Sequence, residues 1–136
     1  MFELADSARI TAGAVLLSAT TVASGGWFLT RVIRGKVEIT EFQKSFFRAG
    51  HAHAGILIIL GLICLMLTEQ TSLTGGVAWL SRAGVLISAI LMPAGFFLSA
   101  LGKGRTRPNR FIALLWIGAL FLLAGLTTCG LGLLTA

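Results

Sequence analysis

The sequence has little of what the surface of a soluble protein needs. Only 12% of the 136 residues are charged and there is no tyrosine, whereas 56% are hydrophobic. Mean hydropathy is +0.92. Soluble domains have about 25% charged residues. The composition therefore excludes an ordinary soluble domain and predicts an integral membrane protein.

Further absences exclude several kinds of chemistry. None of the five acidic residues lies inside a long apolar run, so the intramembrane carboxylates of many proton-coupled carriers are missing. The chain has no phosphate-binding loop, no nucleophile motif and no Cys-x-x-Cys pair. The sequence therefore indicates no particular enzymatic reaction.

Four apolar runs are long enough to cross a membrane, which takes about 20 helical residues. They cover residues 10–30, 46–67, 83–101 and 111–136. None shows the alternation of a β-barrel strand. We predict an all-α integral membrane protein, a single domain over residues 1–136 formed by a four-transmembrane-helix bundle. The 17 glycines favour close packing of its helices.

Basic residues predict how the bundle is oriented. Nine of the eleven lie in two loops: Arg31, Arg34, Lys36, Lys44 and Arg48 in one, and Lys103, Arg105, Arg107 and Arg110 in the other. The positive-inside rule makes these loops cytoplasmic and puts both termini on the non-cytoplasmic side of a bacterial inner or plasma membrane. The acidic amino-terminal segment is unlike a secretory signal, so the first run is expected to be retained.

The same basic loops indicate a partner. They adjoin the predicted membrane spans, which favours anionic lipid headgroups over nucleic acid. Local patterns add two expectations about the helices. Thr40-Glu-Phe-Gln43 is typical of a capping box, which would start the second helix, and Pro93 predicts a kink in the third.

Two histidines within an apolar run are the strongest candidate site. They stand in Arg48-Ala-Gly-His51-Ala-His53-Ala-Gly-Ile-Leu-Ile-Ile-Leu. Helical residues two apart point about 200° apart, so one ion cannot easily be chelated by both imidazoles. Small neighbours leave room beside each ring for a flat ligand. A b-type haem fits best, with Arg48 as the counter-charge for its propionates.

Several ligand sets stay open for such a haem. Met92 of the third span has a depth close to that of His53 and is a candidate second axial ligand. A second copy of the chain is another source, and a haem with one free face is a third option. The alternative is structural: both histidines are neutral and bond to carbonyls or hydroxyls of the first span, among Ser18, Thr20, Thr21 and Ser24.

The segment Ala52-His53-Ala54-Gly-Ile-Leu-Ile-Ile-Leu resembles the helix of haem–copper oxidase subunit I that holds a low-spin haem. It is also similar to the His-Ala-His motif of small uncharacterised bacterial membrane proteins and of the haem- and copper-binding NnrS-type family. The resemblance covers about ten residues and implies that His53 is a haem ligand. Four spans instead of the oxidase's twelve, no further histidines and no tyrosine set oxygen reduction aside.

Three sulfur-containing residues form a second candidate site. Cys64, Met66 and Cys129 are expected at comparable depth near the non-cytoplasmic ends of their spans. They would suit Cu(I), and the two cysteines alone would suit a disulfide. Two free buried cysteines are the alternative.

Two functional hypotheses follow from these residues. The first is a small membrane protein that binds a haem or metal through His53 and His51, with electron transfer or gas sensing as its role. The second is a non-enzymatic accessory or assembly subunit of a larger membrane complex, in which the histidines only fix helix contacts. Either role is compatible with a homo-oligomer.

Overall fold

A computed structural model describes residues 4–136, and in this part of the chain every regular element is a helix. The five helices are α1 Asp6–Ala19, α2 Val22–Ile33, α3 Glu41–Thr68, α4 Gly75–Ser99 and α5 Ile112–Leu134. Residues 1–3, which begin the acidic segment used to predict a retained first run, lie outside the described residues.

The helices form four stretches that are long and apolar enough to cross a membrane, with α1 and α2 together making the first. The predictions of an all-helical fold and of four such helices are confirmed. The third stretch begins at Gly75, eight residues before the predicted start. The difference arises because Arg82 interrupts the apolar run of the sequence but not the helix. In the structure the charge of Arg82 is paired with Glu69.

The first stretch includes the predicted span over residues 10–30, but it is divided into α1 and α2 at Thr20 and Thr21. The Thr21 N–H donates to the Ser18 carbonyl at 3.0 Å and the Ser24 N–H to the Thr21 carbonyl at 3.1 Å. This three-residue spacing is that of a 3₁₀ turn. Hydroxyls of the same residues bond to carbonyls one turn back, which competes with the regular helical pattern.

The second span begins at the predicted capping box. The Thr40 hydroxyl accepts from the Gln43 N–H at 3.2 Å, and the Gln43 amide oxygen accepts from the Thr40 N–H at 3.2 Å. The Gln43 amide nitrogen also donates to the carbonyls of Ala100 and Gly102, at 2.9 and 2.7 Å. The start of α3 is thereby tied to the loop that follows α4.

Glycines set the spacing between α4 and its neighbours. A Cβ built on Gly84 would lie 2.9 Å from the Cα of Gly125, and one on Gly95 would lie 2.5 Å from the amide nitrogen of Leu115. Backbones can come this close only where side chains are absent. α4 therefore packs closely along α5, and it continues as a helix through the buried Pro93.

Two apolar clusters lie at opposite ends of the bundle. At the end with the basic loops, Leu29, Phe47 and Ala100 are buried under a group of phenylalanines. At the other end, Cys64, Val85 and Cys129 join α3, α4 and α5. The histidine segment of α3 lies between these clusters.

Candidate functional site

His53 is oriented by its own helix. Its Nδ1 lies 2.8 Å from the carbonyl oxygen of Ala49, one turn earlier on α3. A carbonyl only accepts hydrogen bonds, so Nδ1 is the donor, and in a neutral imidazole with this tautomer Nε2 carries the lone pair. The half-buried ring lies 5.0 Å from the ring of Phe96 on α4, at an angle of 39°.

His51 faces a different helix. Its Nδ1 lies 3.1 Å from the place that a Cβ of Gly25 would take, and its Nε2 lies 3.5 Å from the corresponding place at Gly26. The imidazole thus rests on the bare backbone of α2. Neither ring nitrogen of His51 has a hydrogen-bond partner among residues 4–136.

The two imidazoles therefore point to different neighbours, α2 for His51 and α4 for His53, in agreement with the i, i+2 spacing. Residues 4–136 contain no group of three or more histidine, cysteine, aspartate or glutamate side chains that could hold a metal ion. The hydroxyls that were expected to bond to the histidines donate to carbonyls of the first span instead. That part of the structural alternative is wrong.

Arg48 belongs to the side of α3 that holds His51. Both line an open cavity of about 490 Å³ between α2 and α3, with Leu29, Ser45, Ala49 and Ala52 as the other lining residues. Arg48 is exposed, and no carboxylate of the described chain pairs with it. The cavity thus offers one imidazole and one free guanidinium at the basic end of the bundle.

Met92 packs against α5. Its side chain is buried between α4 and α5, where its Cγ lies 2.7 Å from the place of a Cβ on Gly118. Phe96, one turn further along α4, occupies the position beside the His53 ring. Within one chain, the structure brings these two candidate ligands to different interfaces.

The two cysteines come together, but Met66 does not join them. Cys64 and Cys129 are free and buried, and the Sγ of Cys129 lies 3.9 Å from the carbonyl oxygen of Cys64. Met66 is 40% exposed, whereas the partly buried residues packed against this cluster are Leu60 and Leu122. A buried hydroxyl pair lies beside the thiols: the oxygens of Thr68 and Ser81 are 2.6 Å apart.

Sequence analysis missed an ion pair at the end opposite the basic loops. Arg82 Nε donates to Glu69 Oε1 at 2.8 Å, and the Glu69 side chain is only 9% exposed. Both residues lie just outside the predicted runs, which end at residue 67 and begin again at residue 83. Two opposite charges 13 residues apart, one at each end of the segment between these runs, were the available signal.

The chain thus combines four helices that are long and apolar enough to cross a membrane with two separate imidazole environments. Comparison of the chain with protein-family models, curated proteins and solved structures finds no significant match.

Proposed function

We propose that this chain is a small membrane protein that binds a haem b, or else a metal ion, at His53. The supporting observation is the 2.8 Å contact between His53 Nδ1 and the Ala49 carbonyl. Histidines that ligate metals commonly donate their other ring N–H to a carbonyl, which fixes the ring and leaves Nε2 for the metal. His53 already has this arrangement inside an apolar helix.

The surroundings of His53 suit a flat, apolar ligand. Ala49, Ala52 and Ala54 leave little side-chain bulk near the ring, and Phe96 supplies an aromatic wall. Since Met92 packs on α5, a second axial ligand would come from another copy of the chain, or one face of the haem would stay open. Such a haem would supply electron transfer or binding of a diatomic gas.

Arg48 and His51 form the secondary part of this proposal. Their shared cavity lies on the other side of α3 from Phe96, so Arg48 matches a ligand at His51 better than one at His53. A haem ligated by His51 would have Arg48 beside it as a counter-charge for a propionate. His53 is preferred because the Ala49 carbonyl orients its ring, whereas no described residue bonds to a ring nitrogen of His51.

Absorption spectroscopy on matched variants tests the proposal. Protein produced with ample haem and purified in detergent is expected to show a Soret band and one iron per chain or per dimer. His53→Ala should abolish the band, whereas His51→Ala should keep it. The reverse pattern would move the site to His51. Absence of a Soret band together with absence of bound iron and copper would refute cofactor binding.

Copper at the sulfur ligands is the less favoured metal hypothesis, and the same samples distinguish it. Copper held by the two cysteines would survive His53→Ala and be lost in Cys64→Ser or Cys129→Ser. Met66→Leu would leave it unchanged, since Met66 lies outside the cysteine cluster. A disulfide between the cysteines would instead appear as a mass decrease of about two hydrogens.

The contact of His51 with Gly25 and Gly26 favours a second function, that of a non-enzymatic accessory subunit. In this role the imidazole only fills the gap left by two glycines and holds α2 on α3. Large apolar side chains on the outer faces, such as Trp116 and Leu120, would contact lipid, a second copy or a larger membrane complex. Cofactor-free protein that runs as a stable dimer or co-assembles in a defined ratio would support it.

Location and lipid partners form part of the same proposal. We place the chain in a bacterial inner or plasma membrane with its basic loops in the cytoplasm. Nine of eleven basic residues at one end support this orientation and favour anionic headgroups there. Stronger association with vesicles containing phosphatidylglycerol than with neutral vesicles at low salt would support the lipid preference.

A further inference from the structure

A long groove runs between the first span and α4, at the end of the bundle away from the basic loops. It consists of two cavities of about 560 and 450 Å³. Both are lined by Thr11, Ala83 and Leu86, so they join into one groove. Along α4 it extends from Gly75 to Ile90, which is about 22 Å at about 1.5 Å per residue.

The groove exists because the first span packs on one neighbour only. Within residues 4–136, the backbones of α1 and α2 approach α3 and each other, but not α4 or α5. Accordingly, 6% of the apolar stretch of the first span is buried, compared with 44% for α4. Apart from Ala8, which is buried, the side of α1 that faces α4 therefore has little protein cover.

The lining of the groove indicates what can fill it. Its walls are mainly apolar, with the Arg82 side chain at one end. This combination suits a hydrocarbon chain that is joined to an anionic headgroup. One membrane leaflet is about 15 Å deep, so a lipid anchored at the mouth of the groove has a chain long enough for most of it.

A cation, Arg82, stands at the mouth. Glu69 holds the Nε of Arg82 at 2.8 Å, and its other oxygen accepts from the backbone N–H of Ala5 at 3.3 Å. No described residue accepts a hydrogen bond from the two terminal nitrogens of Arg82. A planar guanidinium fork matches the oxygens of a phosphate. Trp79, which lines the same cavity and is 55% exposed, is suited to headgroup depth.

We propose that the groove binds one acyl chain of a glycerophospholipid, whose phosphate is bound by Arg82. The second acyl chain stays in the surrounding bilayer. This proposal does not rest on the His53 proposal, because Arg82 and Ala83 lie outside the surroundings of His53 and only Ala54 borders both sites. The bound lipid would fill the space between the first span and α4 and hold them together.

Native mass spectrometry of delipidated protein tests the site, with dipalmitoyl phosphatidylglycerol added as the probe. Wild-type protein is expected to retain one lipid per chain. Ala83→Phe fills the point where the two cavities meet and should weaken binding at least tenfold. Ala113→Phe is the matched control, since it adds the same ring at an exposed position of α5 and should leave binding unchanged.

A second variant examines the headgroup contact without removing the ion pair. Arg82→Lys keeps a charge for Glu69 but lacks the planar fork, so retention should fall several-fold. Arg9→Lys changes the other cation at this end, which already pairs with Asp6, and should have no effect. Circular dichroism confirms that each variant is folded.

Three outcomes would overturn the proposal. Equal lipid retention by wild type and Ala83→Phe would show that the groove is not the site. Loss in both phenylalanine variants would show an effect on folding or on the annular lipids. A dimer that disappears in Ala83→Phe, with no lipid bound to the wild type, would show that a second copy covers this face.

Discussion

Gly84 of α4 and Gly125 of α5 face each other so closely that a Cβ on Gly84 would lie 2.9 Å from the Cα of Gly125 and 3.0 Å from the Phe121 carbonyl oxygen. The obstructing atoms belong to the backbone and cannot move aside as a flexible side chain could. The contact therefore depends on glycine at this position, and the two helices would have to separate to accept a methyl group.

Gly84→Ala should accordingly destabilise the bundle by about 1–3 kcal/mol, the usual cost of overpacking. Gly130→Ala on α5 is the control, because nothing lies within 4 Å of its added Cβ. It should be neutral or stabilising by up to about 1 kcal/mol through helix propensity. Unfolding in mixed micelles, followed by circular dichroism, measures both. Equal stabilities for the two variants would contradict the packing of α4 on α5.

Gln43 offers a test of how the basic end is held together. It is 4% exposed, and its amide nitrogen donates to the carbonyls of Ala100 and Gly102. Gln43→Leu would leave these carbonyls without that donor and break the capping box, at a cost of about 2–4 kcal/mol. Ser45→Ala, two residues away and exposed, should change stability by less than about 0.5 kcal/mol. A Gln43→Leu protein as stable as Ser45→Ala would show that the loop contact contributes nothing.

Sequence reasoning predicted the features that depend on local composition. Hydropathy over about 20 residues located the four spans, and the Thr40 to Gln43 spacing located the start of α3. Both are properties of a single helix. The break at Thr20 and Thr21 was missed because hydroxyls in an apolar helix bond to their own backbone, which hydropathy does not register.

Relations between helices were predicted less well, because periodicity gives the face of a residue but not the helix that covers it. Depth alone paired Met92 with His53, yet Met92 faces Gly118 of α5. The spacing of the two histidines did indicate that they separate, since that relation lies within α3. The predicted third run began after Arg82, because hydropathy does not register its ion pair with Glu69 across the turn.

The Glu69 and Arg82 pair predicts a contrast between two ion pairs at the same end. Glu69 is 9% exposed and accepts from both Arg82 and the Ala5 N–H, so Glu69→Gln should cost about 1–2 kcal/mol. Asp6→Asn removes the partner of Arg9, but that pair is largely exposed and should have little effect. Thermal unfolding in detergent measures the difference. Similar melting temperatures for the two variants would argue against a structural role for Glu69.

The contact of His51 with α2 predicts a rescue experiment. Gly25→Leu would place side-chain atoms where the imidazole lies and should loosen α2 from α3, which would speed trypsin cleavage in the loop over residues 34–36. Adding His51→Ala makes room and should restore resistance. Gly13→Leu is the control, since no atom lies within 4 Å of its Cβ position. Fast cleavage of the double variant would show that Gly25 is not needed to leave room for His51.

Orientation in the membrane can be read from two loops, because the native cysteines are buried and give little background. Thr106→Cys stands in the basic loop and Ser72→Cys in the opposite turn, and both positions are exposed. With Cys64 and Cys129 replaced by serine, a membrane-impermeant maleimide added to intact cells should label Ser72→Cys only. Thr106→Cys should be labelled once the cells are opened. This result would show that the position is reactive and that the lack of labelling in intact cells reflects its location. Labelling of Thr106→Cys in intact cells would reverse the orientation, and the basic residues at that end would then face away from the cytoplasm.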